Sequence, residues 1–125
     1  MDIIPQIPVG RTVIQGYGAG GFTIEGKRVT GSMLVFPDRM VAWPVVAFDQ
    51  VTAETLADVF AAVPAVEILL IGSGVQMLPA PAALRTALRD AGIALDVMDT
   101  GAACRTYNVL LAEERRVAAA LIAVD

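Results

Sequence analysis

Histidine is absent from this chain of 125 residues, and cysteine occurs once, as Cys104. Without histidine, neither a Ser-His-Asp triad nor a Cys-His pair can activate a nucleophile within the chain. A lone cysteine excludes an internal disulfide and, with no histidine beside it, most zinc and iron–sulfur sites. The sequence therefore predicts no metal and no cofactor of its own, and leaves catalysis only to carboxylates, Lys27 and hydroxyl side chains.

Positive charge and long apolar runs are also scarce. Nine basic residues against thirteen acidic ones give a net charge of −4, whereas nucleic-acid binding requires a concentrated basic surface. No segment approaches the roughly 20 apolar residues of a membrane-spanning helix. Residues 1–5 lack the basic and apolar regions of a secretory signal. We therefore expect a cytoplasmic protein, most simply a bacterial one, that has no transmembrane segment and no nucleic-acid partner.

What the chain has is apolar material, since hydrophobic residues make up 56% of it. That is ample for one core in a single domain over residues 1–125. The first 46 residues contain short β-prone runs divided by glycine turns. The predicted strands are residues 12–16, 21–24, 28–30, 32–36 and, after a turn at 37–39, 40–46. The glycine-rich run 16–22 precedes a strand rather than a helix, which predicts a hairpin instead of a phosphate loop.

From Thr52 onward the apolar spacing changes to that of helices. Thr52 is a good N-cap, and Leu56, Val59, Phe60 and Val63 form a helical stripe that ends at Pro64. A second helix is expected from Pro81 to Gly92, with its apolar stripe inward, and a third after Asp99. The inward positions of the second helix are Leu84, Ala87, Leu88 and Ala91.

Three apolar runs alternate with these helices and predict strands over residues 66–71, 93–98 and 117–124. The last run contains three alanines with high helix propensity, but it has no polar face, which favours a buried strand. The alternation predicts an α/β fold: a compact three-layer domain in which N-terminal antiparallel strands join a mainly parallel sheet with packed helices.

A glycine-containing turn follows the first of these strands, where open α/β sheets bind ligands beyond the strand ends. Its residues are Gly72, Ser73 and Gly74, whose amides would suit an anion. The dinucleotide fingerprint is incomplete because Met77 stands where the third glycine belongs. A plain turn and an anion site therefore both remain open.

The third helix concentrates polar side chains in an otherwise apolar half of the chain. Cys104 falls on its inner face and is expected to be a buried, unreactive thiol. Arg105 lies off that face, where it would either bind a carboxylate or phosphate or pair internally with Asp96 or Asp99. The candidate ligand-binding set is Gly72, Ser73, Gly74, Thr100, Arg105 and Asn108. No catalytic residue is predicted.

Several motifs together resemble the Mth-like domain family, over nearly the whole chain. They begin with Tyr17, Gly18, Gly20, Gly21 and Phe22, and continue with Gly31, Ser32, Trp43 and the turn at 71–74. The most specific part is the string Thr100, Ala103, Cys104, Arg105, Thr106, Tyr107, Asn108 and Leu110, and the resemblance closes with Arg115 and residues 117–121. The family includes the adipogenesis-associated Mth-domain protein and a mitochondrial assembly factor for respiratory complex I.

The resemblance implies a compact three-layer α/β fold and a role in assembling a membrane complex, with no established catalytic mechanism. We therefore expect a non-catalytic protein-interaction or assembly-factor-like module, with a protein partner or a second copy of the chain covering an exposed apolar patch. The alternative is a domain, and conceivably an enzyme, that binds a small anion or metabolite between the 72–74 loop and the 100–108 helix.

Overall fold

The computed structural model describes residues 10–125, so the expectation for residues 1–5 lies outside it. Eight strands lie in the described part: β1 (Ile14–Gly18), β2 (Gly21–Ile24), β3 (Lys27–Thr30), β4 (Met33–Phe36), β5 (Arg39–Ala42), β6 (Ile68–Gly72), β7 (Ala94–Met98) and β8 (Val117–Leu121). The helices there are α1 (Ala57–Phe60), α2 (Ala82–Asp90) and α3 (Thr100–Ala112), with 3₁₀ turns at Phe48–Gln50 and Glu54–Leu56. No helix among residues 10–125 has the length and apolarity needed to cross a membrane.

Strands β1, β2 and β3 form a small antiparallel sheet in chain order. The expected hairpin is confirmed, because β1 and β2 are joined by a two-residue turn at Ala19 and Gly20. Both turn residues have positive φ, 50° and 80°, as the turns that match strand twist require. Arg28 donates to the carbonyls of Gly18 and Ala19 and so holds the tip of this hairpin.

The remaining strands form a five-stranded sheet in the order β5-β4-β8-β6-β7. Strands β6, β7 and β8 are parallel, whereas β4 is antiparallel to both β5 and β8. The predicted joining of antiparallel and parallel strands is thus confirmed. The last strand of the chain lies between β4 and β6, so it links the two halves of the sheet.

Strand β8 is buried on both faces, which explains why its alanines form a strand. Val117, Ala119 and Leu121 face a core formed with α3 and the small sheet. Ala118, Ala120 and Ile122 face a second core that includes Leu84 and Leu88 of α2. A helix at this position would leave the sides of β4 and β6 that face β8 without partners for their backbone groups.

The helix expected between Thr52 and Pro64 is much shorter than its apolar stripe suggested. Leu56 and Val59 are buried, but Phe60 is 36% exposed and Val63 is 88% exposed. Helical structure ends at Phe60, four residues before Pro64, so the apolar stripe continues past the end of the helix. The strand expected over residues 40–46 ends at Ala42, two residues before Pro44, and β5 is an edge strand, as that proline indicated.

Substitution of Gly21 tests how closely the strands of the small sheet pack. A Cβ there would lie 3.0 Å from the Thr30 Cα and overlap the Val29 carbonyl oxygen, whereas at Gly16 it would meet only Thr23 atoms at 3.9 Å. We expect Gly21→Ala to lower the free energy of unfolding by at least about 2 kcal/mol, because backbone cannot yield as a side chain can. Gly16→Ala should change it by less than about 1 kcal/mol. Urea unfolding of both variants makes the comparison, and equal losses would contradict it.

Candidate functional site

The carboxyl ends of β6, β7 and β8 meet at one edge of the sheet, and Thr100 joins them. The Thr100 hydroxyl donates to the Ile122 carbonyl at 2.8 Å and accepts from the Gly74 amide at 3.0 Å. The Thr100 amide in turn donates to the Gly74 carbonyl at 2.8 Å. Thr100 is fully buried. One threonine therefore ties the loop after β6 to the first residue after β8.

The neighbouring residues Gly72 and Ser73 also help to hold the loop after β6 in place. A Cβ on Gly72 would lie 2.9 Å from the Thr100 Cα, so only glycine lets the start of α3 approach β6 this closely. The Ser73 hydroxyl donates to the Gln76 carbonyl at 2.7 Å and accepts from the Leu78 amide at 3.1 Å. Four of the predicted site residues, Gly72, Ser73, Gly74 and Thr100, are thus brought together.

The donors expected to cradle an anion are used inside the protein. The Gly74 amide donates to Thr100, and the Ser73 amide donates to the Met98 carbonyl at 2.9 Å. The N-terminus of α3 is capped by Asp99, which accepts from the Ala102 amide at 2.9 Å. A carboxylate at that position opposes a second anion. Anion binding at this edge stays a prediction, and this geometry gives it no ready donor.

Asn108 and Arg105 lie farther along α3 and face the small sheet. Asn108 forms two hydrogen bonds with the backbone of Ile14, accepting at 3.0 Å and donating at 2.6 Å, so it completes the β1 edge. Arg105 donates to the Tyr17 hydroxyl at 3.2 Å. The alternative prediction, an internal ion pair of Arg105 with Asp96 or Asp99, is wrong, because Arg105 pairs with no carboxylate among residues 10–125.

Tyr17 is a surface residue that the site prediction missed. Its ring lies on Gly101, where a Cβ would come within 2.6 Å of the Tyr17 Cζ. The side chain is 45% exposed and contacts Arg105, 88 positions later in the chain. A glycine in the first turn of a helix signals close approach of another group, and that signal was available in the sequence.

Cys104 is buried, as expected, and is 3% exposed. Burial raises the pKa of its thiol to about 12, because the charged form is costly away from water. Burial likewise raises the pKa of Tyr107, whose hydroxyl has no hydrogen-bond partner within residues 10–125. Over the same residues, no group of three or more acidic or cysteine side chains is placed to hold a metal ion.

A shallow groove of about 390 Å³ opens at this edge, between the loop after β6 and the C-terminal residues. Val46, Val75 and Leu78 line it and are 78%, 81% and 38% exposed. Tyr17 lies near this edge, because its ring packs on Gly101, the residue after Thr100, and Thr100 contacts Gly74 of the loop. We name the exposed side chains of Tyr17, Val46, Val75, Met77, Leu78 and Arg105 the carboxyl-edge face.

A family model described as a protein of unknown function (DUF498/DUF598) matches residues 14–122. The chain is 37% identical over 111 residues to NADH dehydrogenase (ubiquinone) 1 alpha subcomplex assembly factor 3 of Danio rerio, covering 89% of this chain and 64% of that protein. It therefore spans less than two thirds of that relative. It is also 37% identical to an uncharacterized protein of Rhodobacter capsulatus, covering 90% of this chain and 86% of that one.

Solved structures of similar chains share the fold. A crystal structure described as an outer membrane protein of Bartonella henselae has a TM-score of 0.86 at 40% identity, covering 98% of this chain and all of that one. An NMR structure of a Bordetella pertussis protein, described as a Mth938-like domain, has a TM-score of 0.80 at 26% identity, with 98% and 92% covered. The compact α/β domain is thus common to these proteins.

Thr100 gives the sharpest stability test of this edge. Thr100→Val removes the hydroxyl and leaves the Gly74 amide and the Ile122 carbonyl without their partner. We expect the free energy of unfolding to fall by about 1–3 kcal/mol, the cost of unsatisfied buried polar groups. Thr100→Ser keeps the hydroxyl and is the matched control, with a smaller loss from the missing methyl. Urea unfolding measures both, and a serine variant as unstable as the valine variant would assign the effect to packing.

The raised pKa of Cys104 predicts its reactivity. At pH 8 a thiol with a pKa near 12 holds far less thiolate than an exposed cysteine, whose pKa is about 8.5. Reaction with a chromogenic disulfide reagent should be at least about a hundredfold slower in the native protein than in urea, given that difference in thiolate. Rapid labelling of the native protein at pH 8 would show the thiol to be accessible.

Proposed function

The chain belongs to the DUF498/DUF598 family, and on that premise we propose that it is a non-catalytic protein-binding module with an assembly-factor-like role. The observation that carries the proposal is the 37% identity, over 89% of the chain, to an NADH dehydrogenase assembly factor. The partner we propose is a polypeptide subunit of an NADH dehydrogenase, bound before or during its incorporation. The proposal concerns the domain that the two proteins share.

The carboxyl-edge face is the surface we assign to this partner. Its apolar members are Val46, Val75, Met77 and Leu78. Burial of their exposed side chains by a partner would lower the free energy of the complex. Tyr17 and Arg105 lie beside them, and these two residue types dominate binding energy at protein interfaces. A partner segment with apolar side chains and one carboxylate would match this combination.

The internal bonding of the polar motif supports a role without catalysis. Thr100, Ser73 and Asn108 each direct their side-chain donors and acceptors to the backbone of their own chain. The thiol of Cys104 is buried with a raised pKa, which removes the strongest nucleophile in the chain. These side chains hold the fold together, whereas Tyr17 and Arg105 stay accessible at the surface. A cytoplasmic location and a homodimer remain predictions from the sequence.

Capture from the protein's own cells tests the proposal. The tagged chain, expressed at its native level, should enrich NADH dehydrogenase subunits in quantitative mass spectrometry. Arg105→Ala and Val75→Glu should each reduce that enrichment by about tenfold or more, since hot-spot losses exceed about 1.4 kcal/mol. Both side chains are exposed, so the melting temperature should stay within about 2 °C of wild type.

The matched control is Arg89→Ala, which removes an exposed arginine from α2, away from the carboxyl-edge face. It should leave the enrichment unchanged. The proposal fails if no NADH dehydrogenase subunit is enriched over an untagged strain. The assignment of the face fails if Arg89→Ala reduces the enrichment as much as Arg105→Ala does.

A further inference from the structure

At the opposite edge of the sheet, where β6 and β8 begin, a cleft of about 160 Å³ gathers half of the arginines in the chain. Arg11, Arg39, Arg115 and Arg116 line it together with two acidic residues, Asp38 and Glu114. A third acidic residue, Glu67, pairs with Arg115 and Arg116, so four positive charges stand against three negative ones. This excess of positive charge stands out in a chain whose net charge is −4. The cleft shares no lining residue with the groove at the carboxyl edge.

The floor and one wall of the cleft are apolar. Phe36, Val66 and Val117 lie beneath it and are 1%, 6% and 0% exposed, and Ala62, Val63 and Pro64 form one wall. A cavity of about 150 Å³ lined by apolar side chains is large enough to hold benzene. The space therefore fits an apolar group of about that size, with the arginines around its mouth.

The arginines are positioned, yet keep donors available. Arg39 stacks over the Phe36 ring at 4.0 Å and gives one Nη to Asp38 at 2.9 Å. Arg115 donates only its Nε to Glu67, at 3.2 Å, and Arg116 donates its Nε to the Ala65 carbonyl at 2.9 Å. Among residues 10–125, none accepts a hydrogen bond from the Arg11 guanidinium. The terminal guanidinium nitrogens of Arg11 and Arg115 can therefore donate two parallel hydrogen bonds to a carboxylate.

The geometry points to a binding site for a carboxylate that carries a benzene-sized apolar group, which enters the cleft while Arg11 and Arg115 hold the carboxylate. Two sources offer this chemistry: a free small organic acid, or the C-terminal residue of a polypeptide. The site is separate from the carboxyl-edge face, so the two proposals stand or fall independently.

Benzoate is the first probe, with benzamide and acetate as matched controls. Benzamide keeps the ring without the charge, and acetate keeps the charge without the ring. In ¹H–¹⁵N spectra of the whole chain, benzoate should cause saturable shifts around Phe36, Val66 and Val117 at millimolar concentrations. Benzamide and acetate should each bind at least tenfold more weakly. Equal shifts with benzamide, or benzoate shifts confined to other residues, would overturn the proposal.

Arginine variants test which side chains bind the carboxylate. Peptides test whether that carboxylate belongs to a polypeptide C-terminus or to a small organic acid. Arg11→Ala and Arg115→Ala should each weaken benzoate binding at least fivefold, while Arg85→Ala, outside the cleft, should leave it unchanged. A loss with Arg85→Ala equal to that with Arg11→Ala would overturn the assignment. A short peptide ending in phenylalanine, compared with its C-terminal amide, distinguishes the sources. Tighter binding of the free-acid peptide than of benzoate identifies a polypeptide C-terminus, and the reverse identifies a small acid.

Discussion

The fold depends on one strand, β8, which is the last in the chain and central in its sheet. It is antiparallel to β4 and parallel to β6, so both halves of the sheet need β8 to complete their backbone hydrogen bonds. Its three alanines let both layers approach closely, and Thr100 fastens the residue that follows it, Ile122, to the loop after β6. Its pairings with β4 and β6 join segments that lie far apart in the chain, and such non-local contacts slow folding.

This constraint explains why two polar side chains of the motif on α3 are directed to backbone groups inside the protein. Thr100 is directed to the carbonyl of Ile122, the first residue after β8, and Asn108 to the backbone of Ile14 in β1. Burying such groups is tolerable only when each finds a partner, and here those partners are backbone atoms. The carboxyl edge exposes apolar side chains with Tyr17 and Arg105, whereas the opposite edge carries the arginine cleft.

Much of the architecture could be predicted from the sequence because apolar runs identify buried strands directly. The parallel strands, the glycine hairpin and the meeting of Gly74 with Thr100 follow from periodicity and from the rule that parallel strand ends share an edge. The stripe ending at Val63 overestimated the length of the first helix, which ends at Phe60, because apolar spacing indicates which side chains could share a helical face but does not fix where the helix ends. The partners of Arg105 and Asn108 were missed because they lie 88 and 94 positions away, and local patterns contain no information on such contacts.

We propose that the carboxyl-edge face binds a subunit of an NADH dehydrogenase. Site-specific photo-crosslinking in the protein's own cells tests it most directly, with a photoreactive phenylalanine analogue replacing Val75 and, in a second strain, Asp90 at the exposed end of α2. We expect a cross-link from position 75 to an NADH dehydrogenase subunit, identified by mass spectrometry, and none from position 90. A cross-link to such a subunit from position 90 alone, or from neither position, would contradict it.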